Sequence, residues 1–126
     1  MASHYRLLQY QIFTNQSVSS TTTYHSTPVN ILNLDNIGIQ ANIASTPSGT
    51  FTVEVSLDYA QTATGEVTNA GNWVAVSSSS TSIVSGSPGN VYYDLNQLSA
   101  PWVRLTYVNS SGSGTLNAFL AGKGLM

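Results

Sequence analysis

Residues 51–59 alternate between apolar and polar side chains, and this alternation is the feature that most constrains the fold. A period of two is typical of a β-strand with one buried face. Residues 37–43 repeat the pattern, and the turn-forming sequence Thr-Pro-Ser-Gly at 46–49 separates the two runs. Proline presets φ and glycine accepts positive φ, so we predict a hairpin here. In its second strand the predicted inner face comprises Phe51, Val53, Val55, Leu57 and Tyr59, opposite Thr52, Glu54, Ser56 and Asp58.

Other segments are also rich in aromatic and β-branched residues, which favour strands. The glycines of residues 109–114 predict a second hairpin, which joins the last two strands of the chain. The Ser/Thr-rich residues 15–27 fit an edge strand, a loop or an arm that lies on a neighbour, and residues 60–72 are predicted to form a loop. Helical spacing with caps is absent from the sequence, and residues 95–100 form at most a short turn. The further predicted strands are residues 5–13, 73–76, 91–95, 102–108 and 115–121.

Seven or eight short strands separated by turns define the predicted fold class. An open sheet of such strands would leave an apolar face in water, so two sheets must pack together. The length of 126 residues suits one core. We therefore predict an all-β chain that forms a single antiparallel β-sandwich domain over residues 1–126, jelly-roll-like, with residues 1–27 as a possible N-terminal arm or edge strand.

The scarcity of charge limits the functions that this surface can have. Charged residues make up 6 % of the chain, against about 25 % in ordinary soluble proteins. Its fixed cations are Arg6, Arg104 and Lys123, too few to neutralise several phosphates, so we expect no nucleic-acid partner. The sequence shows neither a secretory leader nor an apolar span of membrane length, so we expect a soluble chain without a membrane partner. A neutral surface tolerates close contact with other subunits, which predicts assembly and a homo-oligomer.

The residues that could carry chemistry are few and scattered. The chain has no cysteine, and its two histidines, His4 and His25, are too far apart in sequence to form a recognisable metal-ligand motif. On one extended strand Glu54 and Asp58 would lie roughly 13 Å apart, too far for a glycosidase pair. We therefore predict no catalytic residue, metal site or cofactor, and we expect that the protein is not an enzyme.

Residues 102–108 fit a surface that contacts a partner better than they fit a catalytic or metal site. Alternation places Trp102, Arg104 and Thr106 on the face opposite Val103, Leu105 and Tyr107. Tryptophan and arginine are enriched in interface hot spots, so the predicted partner-contact residues are Trp73, Trp102, Arg104 and Tyr92.

Two other interpretations of these residues stay open. Arg104 could instead pair within the chain with Asp94 or Asp58. The aromatic residues could form a carbohydrate-stacking platform, because amphipathic rings with amide neighbours suit sugars. The rings available for such a platform are those of Tyr59, Trp73, Tyr92, Tyr93, Trp102 and Tyr107.

Short phrases in the second part of the chain resemble small tailed-bacteriophage virion proteins. They are residues 51–59 ahead of Trp73, Tyr-Tyr-Asp-Leu at 92–95, Pro-Trp-Val-Arg-Leu at 101–105 and the turn at 112–116, within a similarity that spans roughly residues 51–126. The resemblance is to capsid decoration, or cement, proteins. It implies a sandwich or jelly-roll fold that binds major capsid subunits as small oligomers, with no catalytic or cofactor residues.

The predicted function is therefore that of a non-enzymatic structural virion protein that decorates and stabilises a phage capsid. We expect it to be located in the virion after assembly in the host cytoplasm, with the major capsid protein or other virion subunits as partners. The alternatives are a tail, baseplate or head-completion subunit, and a carbohydrate-binding module of a host-recognition apparatus.

Overall fold

A computed structural model describes residues 5–45, 47–77, 79–86, 89–96 and 98–125. His4, one of the two histidines considered above, lies outside these residues. The described residues form antiparallel strands and no helix, and therefore no helix that is long and apolar enough to cross a membrane. The strands are β1 (Tyr5–Val18), β2 (Thr23–His25), β3 (Val29–Asn30), β4 (Asn36–Ala44), β5 (Ser48–Ser56), β6 (Ala60–Gln61), β7 (Val67–Asn69), β8 (Val74–Ala75), β9 (Thr81–Ile83), β10 (Asn90–Asn96), β11 (Trp102–Ser111) and β12 (Gly114–Leu125).

Two sheets contain all but two of these strands. The four-stranded sheet has the order β1-β12-β4-β10, and the six-stranded sheet has the order β2-β11-β5-β8, with β3 also paired to β11 and β9 also paired to β5. The remaining strands, β6 and β7, pair with each other in a small hairpin. This arrangement confirms the predicted all-β antiparallel β-sandwich.

Both predicted hairpins are wrong, because each predicted turn carries the chain from one sheet to the other. Strand β4 pairs with β10 and β12, whereas β5 pairs with β8, β9 and β11. Likewise β11 and β12 lie in different sheets. The physical reason is that turn residues specify only a reversal of the chain, and a strand with one apolar face can be buried from either sheet of a sandwich, so the next strand in sequence need not be its partner.

The core lies between the inner faces of the two sheets. Period-two burial is clear in β4, where Ile37, Ile39, Ala41 and Ile43 are buried and the residues between them are more exposed. The largest fully buried rings, Phe51 and Tyr107, pack with their centroids 4.7 Å apart. The other buried members of the core are Ile12, Phe13, Val18, Val29, Ile31, Val53, Ile83, Val91, Tyr93, Val103, Leu105, Leu116, Ala118 and Leu120.

Residues 15–27, predicted to form an edge strand, a loop or an arm, contribute strands to both sheets. Strand β1 continues to Val18 and pairs with β12, at the edge of the four-stranded sheet. Strand β2 then forms an edge of the six-stranded sheet by pairing with β11. Residues 15–27 therefore connect two edges of the sandwich.

Candidate contact surface

The outer face of the six-stranded sheet holds an ion pair between two central strands. Arg104 on β11 lies opposite Glu54 on β5 in the strand register. Its Nε atom donates a hydrogen bond of 2.8 Å to Glu54 Oε1, and the two side chains are 17 % and 20 % exposed. The internal partner of Arg104 is thus Glu54 rather than Asp94 or Asp58, because cross-strand neighbours on one face lie closest.

A chain of hydrogen bonds extends this ion pair to the edge of the sheet. Thr106 Oγ1 donates to the same Glu54 oxygen at 2.7 Å, which uses the one proton of the hydroxyl. His25 Nδ1 lies 2.9 Å from Thr106 Oγ1 and must therefore be the donor there. Burial, and then the charge of Arg104, lower the pKa of His25 against the opposing effect of Glu54. Sequence reasoning missed this role, because only strand pairing brings His25 near an acid.

Strand β5 ends at Ser56, three residues earlier than the alternation predicts. The Oγ atom of Ser56 accepts hydrogen bonds from the backbone N–H groups of Asp58 and Tyr59, at 3.3 and 3.0 Å. This local turn competes with a continued strand. Leu57 and Tyr59 are therefore not on the inner face: Leu57 is 75 % exposed, and the buried Tyr59 packs on the outer face.

Hydrogen bonds join the two ends of the loop that follows β5. Asn72 donates to the Asp58 carboxylate from its backbone N–H and from its side-chain Nδ2, each at 2.8 Å. These bonds, together with one from Ser56, lower the pKa of Asp58. Gly71 adopts φ +73°, and a Cβ there would lie 2.8 Å from Tyr59 Cα. The predicted loop of residues 60–72 therefore contains the β6–β7 hairpin and is held tightly at its base.

This closure places the Trp73 ring above the ion pair. The guanidinium carbon of Arg104 lies 4.3 Å from the centroid of the Trp73 ring, a cation–π geometry. Trp73 Nε1 donates to the carbonyl of Ala70 at 3.1 Å. Tyr59 lies between the two tryptophans, 5.4 Å from Trp73 and 4.8 Å from Trp102 by ring centroid. We call Tyr59, Trp73, Trp102 and Arg104 the aromatic cluster.

A cleft of about 490 Å³ opens beside Trp102. One wall comes from β1 and the segment that precedes β3, and the other comes from residues 61–63 of the closed loop. Its lining is mixed, with Tyr10, Ile12 and Pro28 among the apolar members and Gln61 among the polar ones. The cleft and the aromatic cluster share Trp102 and so form one continuous surface.

The structure brings together three of the four predicted contact residues. Trp73, Trp102 and Arg104 lie in the aromatic cluster, but Tyr92 lies on β10 in the other sheet and is 67 % exposed. The proposed carbohydrate platform is also divided. Tyr93 and Tyr107 are buried, and burial raises the pKa of each phenol. The rings of Tyr59, Trp73 and Trp102 contact one another or Arg104.

The carboxylates of this surface are held by neighbouring side chains. Glu54 accepts from Arg104 and Thr106, and Asp58 accepts from Asn72 and Ser56. Among the residues that the structure describes, no group of three His, Cys, Asp or Glu side chains could hold a metal ion. Rigid aromatic rings and a neutralised arginine suit this surface for binding a partner.

Comparison with known proteins shows the fold. No protein-family model and no curated protein matches the sequence. Among solved structures, the chain is similar to the PBSX exported protein XepA, with a TM-score of 0.65 and 18 % identity over 94 % of this chain and 37 % of that one. The chain thus spans just over a third of XepA.

Two other solved structures share the fold. The SPBc2 prophage-derived protein YomS aligns over 97 % of this chain and 98 % of its own, with a TM-score of 0.56 and 12 % identity. The VP2 subviral particle of infectious bursal disease virus aligns over 98 % of this chain and 34 % of that one, with a TM-score of 0.58 and 15 % identity. At these identities the similarity defines a shared β-sandwich architecture.

Proposed function

We propose that the chain is a non-enzymatic structural virion protein that decorates and stabilises a phage capsid by binding major capsid subunits. The observation that carries the proposal is the preformed aromatic cluster on the outer face of the six-stranded sheet. Its two tryptophans and one arginine are the residue types that dominate binding energy at protein interfaces. They lie beside a cleft able to receive a side chain or a short segment of a partner.

The electrostatics of the cluster favour burial against a partner. Arg104 is already paired with Glu54 at 2.8 Å, so an interface that covers it does not leave an unpaired charge. The Trp73 ring is fixed by its hydrogen bond to Ala70 and by its contact with Arg104. Ordering the cluster before binding reduces the entropy that association costs.

The fold is compatible with such a role. A β-sandwich of the same architecture occurs in a viral particle protein and in a prophage-derived protein. A nearly uncharged surface also permits a small oligomer, in which several copies attach together. Each attached copy then raises the effective concentration of the next contact.

Stabilisation of the capsid follows from linkage. A protein that binds the assembled lattice, and not the free subunits, stabilises the lattice by its binding free energy. This mechanism requires surface complementarity and no chemical step.

Electron cryomicroscopy of particles assembled without the protein, after addition of the purified chain, tests the proposal. We expect regular added density on the shell, with the aromatic cluster at the contact. Trp73→Ala combined with Trp102→Ala should abolish the density, whereas the control Val84→Ala, which truncates an exposed side chain outside the cluster, should retain it. Circular dichroism of each variant establishes that it is folded.

Two results would overturn the capsid proposal. Bare shells in the presence of folded wild-type protein would exclude decoration. Density confined to a ring or a tube at one vertex would indicate a tail, baseplate or head-completion subunit instead, since those assemblies have cyclic or helical symmetry.

A further inference from the structure

The outer face of the four-stranded sheet carries a second surface that the proposed capsid contact does not use. It is a shallow groove of about 540 Å³ that crosses all four strands of this sheet. Sites for small organic ligands have volumes of this order, roughly 300–1,000 Å³. We call it the Tyr92 groove, and its side chains include Leu7, Gln9, Gln40, Tyr92, Asp94 and Phe119.

The Tyr92 ring lies across the floor of this groove. Tyr92 is paired with Gln40 in the strand register, yet its Oη atom lies 2.8 Å from where a Cβ on Gly38 would be. The ring therefore leans diagonally onto Gly38, whose missing side chain makes room for it. Covering a strand glycine with an aromatic ring protects the backbone on one side. Because Tyr92 is still 67 % exposed, the other side of the ring faces solvent.

The floor beside this ring is formed by small residues. Gly38 on β4 is paired with Ala121 on β12, so two neighbouring strands both lack a bulky outer side chain at the same level. Phe119, 36 % exposed, and Leu7, 66 % exposed, are the large apolar side chains on the side of β12 and β1. The result is a depression bounded by an exposed aromatic face and apolar walls.

The polar groups around the groove are mostly uncharged amides. Gln9, Asn36, Gln40 and Asn96 each offer both hydrogen-bond donors and acceptors. A ligand that matches them also carries both donors and acceptors at short intervals. A dry protein interface would leave several such amides without partners, at a cost in free energy for each buried group.

The charges at the groove are few and opposite in sign. Asp94 on β10 and Lys123 on β12 are on either side of β4, two strand spacings apart across the sheet and two residues apart along it, which separates their backbones by roughly 12 Å. One acid and one base create no net field for a strongly charged ligand. The lining therefore favours an uncharged molecule over a phosphate or a polyanion.

We propose that the Tyr92 groove binds a neutral oligosaccharide. The apolar face of a pyranose ring would stack on the exposed face of Tyr92, and its hydroxyl groups would exchange hydrogen bonds with Gln40 and neighbouring amides. The groove crosses four strands, so it accommodates a short oligosaccharide of more than one ring. This inference relocates the carbohydrate platform from the tryptophans, whose rings pack within the aromatic cluster, to the opposite sheet.

The proposal is independent of capsid binding. The aromatic cluster and the Tyr92 groove lie on the outer faces of different sheets, which pack against each other through their inner faces. A molecule attached through the cluster would present the groove on its far side.

Titration of the ¹⁵N-labelled protein with N,N′,N″-triacetylchitotriose, maltotriose and cellotriose at millimolar concentration tests the proposal by NMR. We expect at least one of these sugars to shift the amide signals of Tyr92, Gln40 and Phe119. Tyr92→Ala should lower the affinity about tenfold or more, and Tyr92→Phe should keep it within about threefold because the stacking face remains. The control Trp73→Ala should bind the sugar like the wild type.

A second variant tests the geometry of the ring directly. Gly38→Ala places a methyl group against Tyr92 and should displace the ring, lowering the affinity while every groove side chain is retained. Absence of signal shifts with all three sugars would overturn the proposal, as would binding that Tyr92→Ala leaves unchanged. Sedimentation in which Tyr92→Ala converts a dimer to a monomer would also overturn it, by assigning the face to a second copy. Added density on capsids incubated with Tyr92→Ala would show that capsid decoration does not need the Tyr92 groove, so a failure of sugar binding can be distinguished from a failure of capsid decoration.

Discussion

Asn109 offers the most direct test of how the sandwich is held at one end. Its side chain is fully buried and makes three hydrogen bonds. Nδ2 donates to the carbonyls of Ser20 and Gly112, at 2.8 and 2.9 Å, and Oδ1 accepts from the Tyr107 hydroxyl at 2.9 Å. Ser20 and Gly112 both have positive φ, so Asn109 ties together two turns that have unusual backbone conformations.

We expect Asn109→Ala to lower the free energy of unfolding by about 3 kcal/mol. Each hydrogen bond contributes about 1 kcal/mol, and the carbonyls and the hydroxyl that lose their partner stay partly buried. In a chain of this size that loss lowers Tm by roughly 10 °C. The matched variant Tyr107→Phe removes one of the three bonds and should cost about 1 kcal/mol.

Urea unfolding followed by tryptophan fluorescence, with thermal melting by circular dichroism, measures both variants. The reasoning is refuted if Asn109→Ala costs less than about 1 kcal/mol, or if Tyr107→Phe costs as much as Asn109→Ala. The first result would mean that water replaces the lost bonds. The second would assign the whole effect to the hydroxyl of Tyr107.

Three further predictions concern backbone strain and pH. Gly71→Ala should lower the free energy of unfolding by roughly 3 kcal/mol, and Gly86→Ala should lower it by about 1 kcal/mol. Both glycines have positive φ, but of the two only Gly71 has atoms close to the added Cβ. Urea unfolding of the two variants measures the difference. Since folding lowers the pKa of His25 from 6.5, the unfolded chain binds the proton more readily, so stability should fall as pH drops below 6.5; His25→Gln should flatten the curve of urea midpoint against pH. Folding raises the pKa values of Tyr93 and Tyr107 above 10, so the stability that these neutral phenols contribute should be complete below pH 10 and lost as pH rises through the pKa values of the folded state. Melting curves at alkaline pH measure this loss, and a Tm that stays constant above pH 10 would contradict it.

The sequence predicted the strands better than their partners. Period-two alternation correctly located β4 and most of β5 and β11, because burial of one face is a local consequence of side-chain order. The chain reversals between β4 and β5 and between β11 and β12 were recognised from the sequence but were assigned to hairpins. Proline, glycine and asparagine serve a hairpin and a crossover between sheets equally well, so turn chemistry does not decide which strands pair.

The arrangement of the aromatic cluster was predicted in part for the same reason. Alternation placed Trp102 and Arg104 on one face of β11, and the structure shows them there. The partner of Arg104 is Glu54, which is set by the register between β11 and β5, and this register has no signal in either strand alone. The assignment of Tyr59 to the inner face is wrong because Ser56 Oγ accepts backbone hydrogen bonds from Asp58 and Tyr59, and the turn that they form ends β5 and breaks the alternation.

The position of β12 governs when this protein can complete its fold. Strand β12 lies between β1 and β4 in the four-stranded sheet, yet the ribosome makes it after all the other described strands. Until it emerges, β1 has no partner in that sheet, and β4 has an open edge. Such pairing over long sequence separations slows folding and exposes strand edges to other chains in the meantime. A nascent chain released before residues 114–125 are made would therefore have an incomplete four-stranded sheet with open strand edges, so it should aggregate more readily than a chain that includes β12.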